Sequence, residues 1–326
     1  MKGYWPIATG TIAAVAILSA LTIVLCFLIT YWIPQKIARL LAWFSVFFNV
    51  GFMHWFCLEE PAGVRMLAFC FALLFAMKAV VLAEEQAGNS QKLSWFGWAG
   101  FTLAWAGMKP SLFLNPQKDA LPGAVPMILG GILRILIGLA LIALAYWIWH
   151  RTQAYLLGVT VLLLSGLSLT VHFGVFNTLA GIWRLQGVDC QPLFIAPLYS
   201  TSLSEFWGRR WNMAYSQMVN TSVYRPFSKF FGKTPALIAT FTFSGLLHEV
   251  AISLPVQTWY GVPSLYFVAH GILTWVERKL STKGLSVDQK KWIGWCWTCF
   301  WLLLPAPFLF HPPFLAGTVW PIIGIF

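Results

Sequence analysis

The sequence predicts an all-α integral membrane protein with roughly eight transmembrane helices and further helices at the membrane interface. Of its 326 residues, 59% are hydrophobic and only 10% are charged, whereas soluble globular chains carry about 25% charged residues. Apolar runs fill the chain almost from end to end and leave no stretch for a separate soluble domain. Because lipid offers the backbone no hydrogen-bond partners, such runs are expected to cross the membrane as helices. Residues 1–326 are therefore predicted to form a single membrane domain.

Several segments approach or exceed the length of about 20 apolar residues that a bilayer span requires. The first of them is longer than the apolar core of a signal peptide, about 7–15 residues, so we expect a retained span there. The predicted spans are 7–33, 41–57, 65–83, 124–149, 154–183, 236–256, 261–277 and 292–310.

Two further apolar segments are not predicted to cross. Residues 93–107 are short and rich in tryptophan, which favours a position at the membrane interface. Residues 312–326 contain three prolines, so we expect an irregular or re-entrant chain there. No internal repeat is evident, which disfavours transporter folds built from repeated halves.

The positive charges predict the orientation in the membrane. The formal net charge is +11, and placing 184–235 in the cytoplasm puts most loop lysines and arginines on that side, as the positive-inside rule requires. Anionic headgroups then explain the charge better than nucleic acid does, so we predict membrane lipids, and no nucleic acid, as partners. These spans suit either a bacterial inner membrane or the endoplasmic reticulum.

The six cysteines do not suggest a disulfide framework or a metal site. Cys296 and Cys299 form a C-x-x-C pair, but it lies inside an apolar run without a second pair of ligands. A structural zinc site needs about four nitrogen or sulfur ligands. We therefore expect no metal.

His248 and Glu249 form an isolated polar pair inside the predicted span 236–256. At about 1.5 Å per residue, His248 lies near the middle of the bilayer, where ionisable groups are rare and usually functional. The alternative is a structural pair that holds helices together. Since adjacent helical residues point about 100° apart, Glu249 is expected to anchor a neighbouring helix or an arginine rather than to face His248.

The polar segment that precedes this span alternates aromatic and basic residues, which is typical of an interfacial helix. Arginine also suits phosphate recognition, and Asn212 carries an amide that can donate to a developing oxyanion. The residues concerned are Trp183, Arg184, Asp189, Glu205, Phe206, Trp207, Arg209, Arg210, Trp211, Asn212, Tyr224, Arg225, Lys229 and Lys233.

Two other charges lie within predicted spans. Lys78 is near the end of its span, so we expect it to extend toward the interface. Arg134 lies about ten residues into its span and is expected to pair with a carboxylate in the bundle. The chain has no complete Walker A loop, H-E-x-x-H pair or G-x-S-x-G elbow.

A set of motifs between residues 172 and 271 resembles the wax-synthase branch of the membrane-bound O-acyltransferase family. The set comprises His172-Phe173-Gly174, Trp183-Arg184, Glu205-Phe206-Trp207-Gly208-Arg209-Arg210-Trp211-Asn212 and Ser244-Gly245-Leu246-Leu247-His248-Glu249. Upstream, Phe75-Ala76-Met77-Lys78 and Trp105-Ala106-Gly107-Met108-Lys109-Pro110 resemble it more loosely. The combination of F-W-G-R-R-W-N with a later intramembrane H-E is the specific part of this resemblance.

This resemblance implies a helical fold around an intramembrane reaction chamber, with its catalytic core at about 172–271. It implies acyl-CoA as a co-substrate that enters from the cytoplasm, a lipophilic alcohol that enters from the bilayer, and no other cofactor. His248 matches the family's catalytic histidine, and Asn212 matches its second polar position. Glu205, Trp207, Trp211 and Glu249 are predicted to support them. The chain end after His311 is short for the family.

The expected mechanism uses His248 as a general base on the alcohol. A neutral imidazole can accept the alcohol proton while the oxygen attacks the thioester. Asn212 would orient the histidine, the acceptor or the oxyanion. No serine or cysteine lies in a nucleophile motif, so direct transfer is expected. The candidates for binding coenzyme A phosphates are Arg209, Arg210, Arg225, Lys229 and Lys233.

Two alternatives remain open at this stage. The same chemistry on a diacylglycerol, sterol or specialised-metabolite hydroxyl would change only the acceptor. A polytopic transporter would instead use His248, Glu249 and Arg134 as a polar pathway. A transport pathway would favour charges spread over several spans, whereas this sequence concentrates them in one pair.

Overall fold

The fold is a bundle of long helices, seen in a computed structural model that describes residues 2–85 and 91–326. Within these ranges the chain is helical and contains no β-strand. The long helices and one short apolar helix are α1 (Thr9–Tyr31), α2 (Gln35–Phe56), α3 (Ala62–Glu85), α4 (Trp95–Ala104), α5 (Ala124–Thr152), α6 (Leu156–Leu185), α7 (Lys233–Val256), α8 (Val262–Thr282) and α9 (Lys291–Leu309).

Seven helices in the described ranges are long and apolar enough to cross a membrane, namely α1, α2, α3, α5, α6, α7 and α9. The all-α membrane fold is therefore confirmed. The predicted span 261–277 corresponds to α8, which is 21 residues long but is not one of the seven. Every 18-residue stretch within α8 contains the charged run Glu277-Arg278-Lys279, and this run explains the difference.

The two segments that were not predicted to cross have the expected form. Helix α4 has 10 residues, or about 15 Å of length, which is half of a hydrocarbon core. The C-terminal residues form one short, irregular helix, Pro312–Ile323, which changes from α to π to 3₁₀ geometry along its length. Pro312 and Pro313 occupy its first turn, where the missing N–H groups have no helical partner to lose.

Small residues bring α5 and α6 into close contact. A Cβ atom on Gly131 would lie 2.3 Å from Thr178 Oγ1, and one on Gly138 would lie 2.6 Å from the Gly166 carbonyl oxygen. Such spacing between small residues is a common way to pack membrane helices, since it lets the backbones approach. The remaining surface of α5 is largely exposed and apolar, as expected for a helix that faces lipid.

Three glutamates cap the first turns of helices other than their own. Glu60 accepts hydrogen bonds from the backbone N–H groups of Ile7 and Ala8, just before and at the start of α1, at 2.7 and 3.1 Å. Glu249 accepts from Ser264 N in the first turn of α8, and Glu277 accepts from the backbone of the 203–205 turn. A carboxylate satisfies the free N–H groups of a helix start and interacts favourably with its dipole. These contacts fix how the helices dock against one another.

Replacing Glu277 with alanine should destabilise the fold. Its side chain is 4% exposed and accepts from Leu203 N and Ser204 N at 2.8 Å each and from Trp297 Nε1 at 2.9 Å. Removing it leaves buried donors without an acceptor, at a cost of about 2–3 kcal/mol in unfolding free energy. Thermal unfolding in detergent measures the effect. Glu277→Gln keeps one oxygen acceptor and should lose less; equal stability of wild type and Glu277→Ala would contradict this role.

The predictions for Lys78 and Arg134 were both wrong. Lys78 does not extend to the interface: it is 1% exposed, and its Nζ donates to the carbonyl oxygens of Phe101 and Gly107 at 2.7 and 3.2 Å. Carbonyl oxygens at and just after the end of a helix have no partner within the helix, so those at the end of α4 are available to accept from the Lys78 ammonium group. Arg134 is exposed on α5, lies back over Gly130, and forms no ion pair with the described residues. The buried face of α5 consists of glycine and alanine in close contact with α6, which leaves no room for an arginine side chain, and Arg134 lies on the opposite, outward face.

Candidate active site

A cavity of about 490 Å³ lies between α7, α8 and the chain that connects α6 to α7. We call this cavity the chamber. His248 and Asn212 both line it, so the two residues matched to catalytic positions share one space. The chamber extends from His248 and Phe267 to Arg278 near the charged end of α8. The other lining residues are Ser204, Trp207, Gly208, Trp211, Met213, Tyr215, Ser216, Gln217, Val219, Asn220, Tyr224, Leu237, Thr240, Phe241, Ser244 and Thr274.

The His248 side chain is held in one tautomer. Its Nδ1 lies 2.7 Å from the carbonyl oxygen of Ser244, one turn earlier in α7. A carbonyl oxygen can only accept, so Nδ1 carries the proton and Nε2 keeps its lone pair. No described residue hydrogen-bonds to Nε2, which is not among the buried unpartnered atoms. The ring packs on Phe267, with 4.0 Å between ring centroids. This arrangement presents a neutral imidazole acceptor to the chamber.

The Asn212 side chain is also oriented by a backbone contact. Its backbone has φ 47° and ψ 65°, a left-handed conformation that asparagine tolerates. The side-chain Oδ1 accepts a hydrogen bond of 3.1 Å from Tyr215 N and so caps the helix Met213–Val219. Because this bond occupies the oxygen, the amide N–H₂ group is the part of Asn212 that is free to donate into the chamber.

Glu249 faces α8 rather than His248. Its Oε1 accepts from Ser264 N at 3.0 Å, in agreement with the prediction that it anchors a neighbouring helix. A Cβ on Gly245 would lie 2.7 Å from Ser264 Cα, so α7 and α8 are in close contact at this level. Helix α8 also carries Phe267, which packs on the histidine. Glu249 therefore supports His248 through the position of α8.

The three other predicted supporting residues lie around the same space. Trp207 lines the chamber and contacts Phe241 and Phe267 with its ring. Trp211 also lines it and stacks on Phe206 with 5.4 Å between centroids. Glu205 is not a lining residue, and it holds the loop that carries both tryptophans.

Glu205 is the centre of a small charged cluster. Its Oε1 accepts from Arg210 Nε at 2.7 Å, and its Oε2 accepts from Thr201 N at 2.8 Å. Burial disfavours the charged carboxylate, but the hydrogen bonds from Thr201 and Arg210 outweigh this effect and hold the pKa of Glu205 below its usual value of 4.5. The charged form is therefore the one that stabilises the fold.

The stability contribution of Glu205 should depend on pH. A lowered pKa means that this contribution is complete above about pH 4.5 and is lost as the pH falls through the folded-state pKa. Thermal unfolding of wild type and Glu205→Gln should differ by a constant amount above pH 5 or so and converge toward pH 3. A difference that does not change over this range would contradict the assignment.

The predicted phosphate-binding residues occupy different surroundings. Arg210 is bound to Glu205 and also donates to the Ala196 carbonyl oxygen at 3.2 Å, so its guanidinium is largely engaged. Arg209 and Lys233 are exposed and do not line the chamber. Arg225 and Lys229 line a separate recess of about 440 Å³.

Arg225 also lines a polar recess of about 550 Å³ that adjoins the chamber. Gln217 and Asn220 line both spaces and separate them. The remaining residues of the polar recess are Glu84, Glu85, Lys109, Ser111 and Thr221. The recess therefore brings basic side chains from two parts of the chain next to the chamber.

Sequence reasoning missed the contribution of α8. Phe267, Thr274 and Arg278 line the chamber, and they lie on one face of the helix at spacings of seven and four residues. This periodicity was available in the sequence. The sequence did not predict the π-helical turns, because each one adds a residue to an otherwise α-helical pattern. These turns are Phe206–Arg210, Asn220–Tyr224 and Glu249–Ser253.

The site offers no ligand set for a metal ion. Within residues 2–85 and 91–326, no group of three or more His, Cys, Asp or Glu side chains is arranged to hold one. The chemistry available in the chamber is that of a neutral imidazole acceptor, an amide donor and surrounding hydroxyl groups.

Comparison with known proteins identifies the segment that forms this site. Residues 190–269 match the model of the membrane bound O-acyl transferase family. The match includes Asn212, His248 and Glu249, and it covers most of the chamber's lining residues. The resemblance to the wax-synthase branch is confirmed by the relatives described next.

Three plant relatives illustrate the similarity. The chain is 31% identical over 147 residues to a probable long-chain-alcohol O-fatty-acyltransferase 2 of Arabidopsis thaliana, covering 41% of this chain and 42% of that protein. It is 30% identical over 139 residues to the long-chain-alcohol O-fatty-acyltransferase of Simmondsia chinensis, covering 39% of each. An acyl-CoA–sterol O-acyltransferase 1 of Arabidopsis thaliana is 32% identical over 80 residues, which are 22% of this chain and 23% of that one. The matches thus span about two fifths or less of these relatives.

Proposed function

On the premise that this chain is a relative of the membrane bound O-acyl transferases, we propose that it transfers a fatty acyl group from acyl-CoA to a lipophilic alcohol. The observation that carries the proposal is the chamber itself. It holds the free Nε2 of His248 and the free amide group of Asn212, and it adjoins a polar recess whose charged side chains are Lys109, Arg225, Glu84 and Glu85. A base, an oxyanion donor and a route for an anionic donor are the parts that this reaction needs.

In the proposed reaction, Nε2 of His248 takes the proton of the alcohol while the alcohol oxygen attacks the thioester carbonyl carbon. The carbonyl oxygen becomes an oxyanion, and the Asn212 amide donates a hydrogen bond to it. The carbon–sulfur bond then breaks, the imidazolium returns its proton to the thiolate, and the ester and coenzyme A leave. The transfer is direct, without an acyl-enzyme, because no serine or cysteine lies in a nucleophile motif.

The protein environment favours each of these roles. The Ser244 carbonyl oxygen accepts from Nδ1 in both the neutral and the protonated ring, so it keeps the tautomer and stabilises the imidazolium. Phe267 packs on the ring, and further apolar side chains, among them Phe241 and Leu237, line the chamber. A chamber of this kind strengthens hydrogen bonds to developing charge.

The acyl donor is proposed to approach through the polar recess. Arg225 and Lys109 would contact the phosphates there, and the chain that carries the thioester would pass Gln217 and Asn220 to reach His248. Arginine binds phosphate through its planar fork of donors. Arg209, Lys229 and Lys233 lie at the exposed surface and would attract the donor rather than hold it. We assign this side to the cytoplasm by the positive-inside rule.

A long-chain alcohol is the proposed acceptor, because the two relatives with the longer matches are named for that substrate. A sterol is the second candidate, since a sterol acyltransferase matches a shorter part of the chain. Membranes that contain the protein, supplied with labelled acyl-CoA and a panel of long-chain alcohols, sterols and diacylglycerols, test both candidates. Ester formation with none of them would overturn the proposal.

The transporter alternative loses two of its three residues. It required His248, Glu249 and Arg134 to form a polar pathway. Arg134 is on the exposed face of α5, and Glu249 turns toward Ser264. Of the three, only His248 lines the chamber. The acyltransferase proposal accounts for the site with fewer assumptions.

A further inference from the structure

Three residues that line the chamber carry buried polar atoms that have no hydrogen-bond partner among the described residues. The atoms are Ser204 Oγ, Trp207 Nε1 and Thr274 Oγ1. Thr274 is 2% exposed. Most buried polar groups in proteins are paired, so each exception calls for an explanation, such as a bound molecule.

The three atoms lie where α8 packs against the turn that contains Ser204 and Trp207. His270 and Thr274 are one turn apart on α8 and face the turn that contains Ser204 and Trp207. The rings of Trp207 and His270 are 5.6 Å apart between centroids. One turn further along α8, Glu277 accepts from the backbone N–H group of Ser204, which holds the two segments together. Ser204, Trp207 and Thr274 all line the chamber.

The hydrogen-bonding capacity of this wall is mixed. Trp207 Nε1–H can only donate, and the hydroxyls of Ser204 and Thr274 can donate or accept. A group that matches the wall must therefore accept from the indole and form hydrogen bonds with the hydroxyls. Hydroxyls and secondary amides can do both, whereas hydrocarbon chains cannot.

We infer that Ser204, Trp207 and Thr274 form a polar subsite of the chamber that binds a hydroxyl or secondary amide group of a substrate. The inference rests on the proposed function for the identity of the substrates. Thr274 lies seven residues from Phe267, which packs on His248, so the subsite is about 10 Å from the base along α8. It lies on the path from Arg278 to the base. A second oxygen function of the acceptor and an amide in the arm of the acyl donor are the two sources of such a group.

Binding measurements on purified protein in nanodiscs distinguish these sources. One pair of probes is hexadecanol and hexadecane-1,8-diol, whose second hydroxyl is far enough along the chain to reach the subsite while the first lies at His248. The other pair is S-ethyl thiopalmitate and palmitoyl-N-acetylcysteamine, which differ by one secondary amide. Wild type should bind the polar member of one pair about three- to tenfold more tightly than its partner, the usual effect of one hydrogen bond. The pair that shows the preference identifies the source.

Thr274→Val and Ser204→Ala should reduce this preference, and Thr102→Val is the matched control. Thr102 is also a buried threonine, 1% exposed, with an unpartnered Oγ1, but it lies on α4 outside the chamber. All three variants remove an unpaired hydroxyl, so each should keep the thermal stability of wild type. Only the two chamber variants should lose the preference.

Two results would contradict the proposed subsite. One is the absence of a preference in both probe pairs for wild type, and the other is an equal preference in Thr274→Val, Ser204→Ala and Thr102→Val. Binding does not require turnover, so a protein that binds with this preference but forms no ester would overturn only the proposed function.

Discussion

Replacing His248 with alanine is expected to lower the rate of ester formation by roughly 10²–10⁴-fold, the usual contribution of a general base. In the proposed mechanism no other group in the chamber takes the alcohol proton. His248→Gln fills more of the ring's volume and cannot act as a base, so it should lose as much activity as alanine does. The measurement is the initial rate with labelled acyl-CoA and a long-chain alcohol in membranes.

His54→Ala is the control for a membrane histidine outside the chamber. His54 lies on α2, stacks against Phe69, and does not line the cavity. Its substitution should leave ester formation close to the wild-type rate. Activity that survives in a well-folded His248→Gln protein would remove the base assignment, whatever the alanine variant does.

Asn212→Asp is expected to reduce kcat by roughly 10²–10³-fold, as the loss of an oxyanion donor does in other acyl-transfer enzymes. The carboxylate keeps an oxygen that can cap Tyr215 N, so the helix Met213–Val219 should still form. It removes the N–H₂ donor and places negative charge where the oxyanion develops. The variant therefore separates the two functions of the asparagine side chain.

Two further variants complete this test. Asn212→Ala removes both the cap and the donor, so it should lose activity and about 1 kcal/mol of stability. Asn115→Asp makes the same chemical change at an exposed asparagine that exchanges hydrogen bonds with Gln91, and it should have no effect on kcat. Near-normal turnover by Asn212→Asp would show that the amide group does not donate to the oxyanion.

The helices and the isolated position of the His248–Glu249 pair were predictable from the sequence for simple physical reasons. A span must be long and apolar in any membrane protein, so α1, α2 and α3 lie close to their predicted segments. His248 was a candidate because a lone ionisable group is costly at membrane depth. Asn212 was a candidate oxyanion donor in the aromatic and basic segment, and only the resemblance matched it to a site position.

Side-chain direction was harder to predict. The sequence does not tell whether Lys78 points to the interface or into the bundle; that depends on the free carbonyls at the end of α4, which are distant in the chain. Arg134 faces outward because glycines occupy the packed side of α5. Glu277 caps a turn more than seventy residues away, as the 74-residue separation from Leu203 shows. Contacts between distant segments decided all three cases.

The bond from Glu249 to the start of α8 links assembly of the bundle to reactivity. Until α8 docks, His248 lacks its packing partner Phe267, and the chamber lacks the wall that Thr274 and Arg278 provide. A chain caught partway through membrane insertion would then have a histidine but no enclosed space around it. If the proposed reaction takes place, such an intermediate should not hydrolyse thioesters, because the chamber needs α8 for one of its walls.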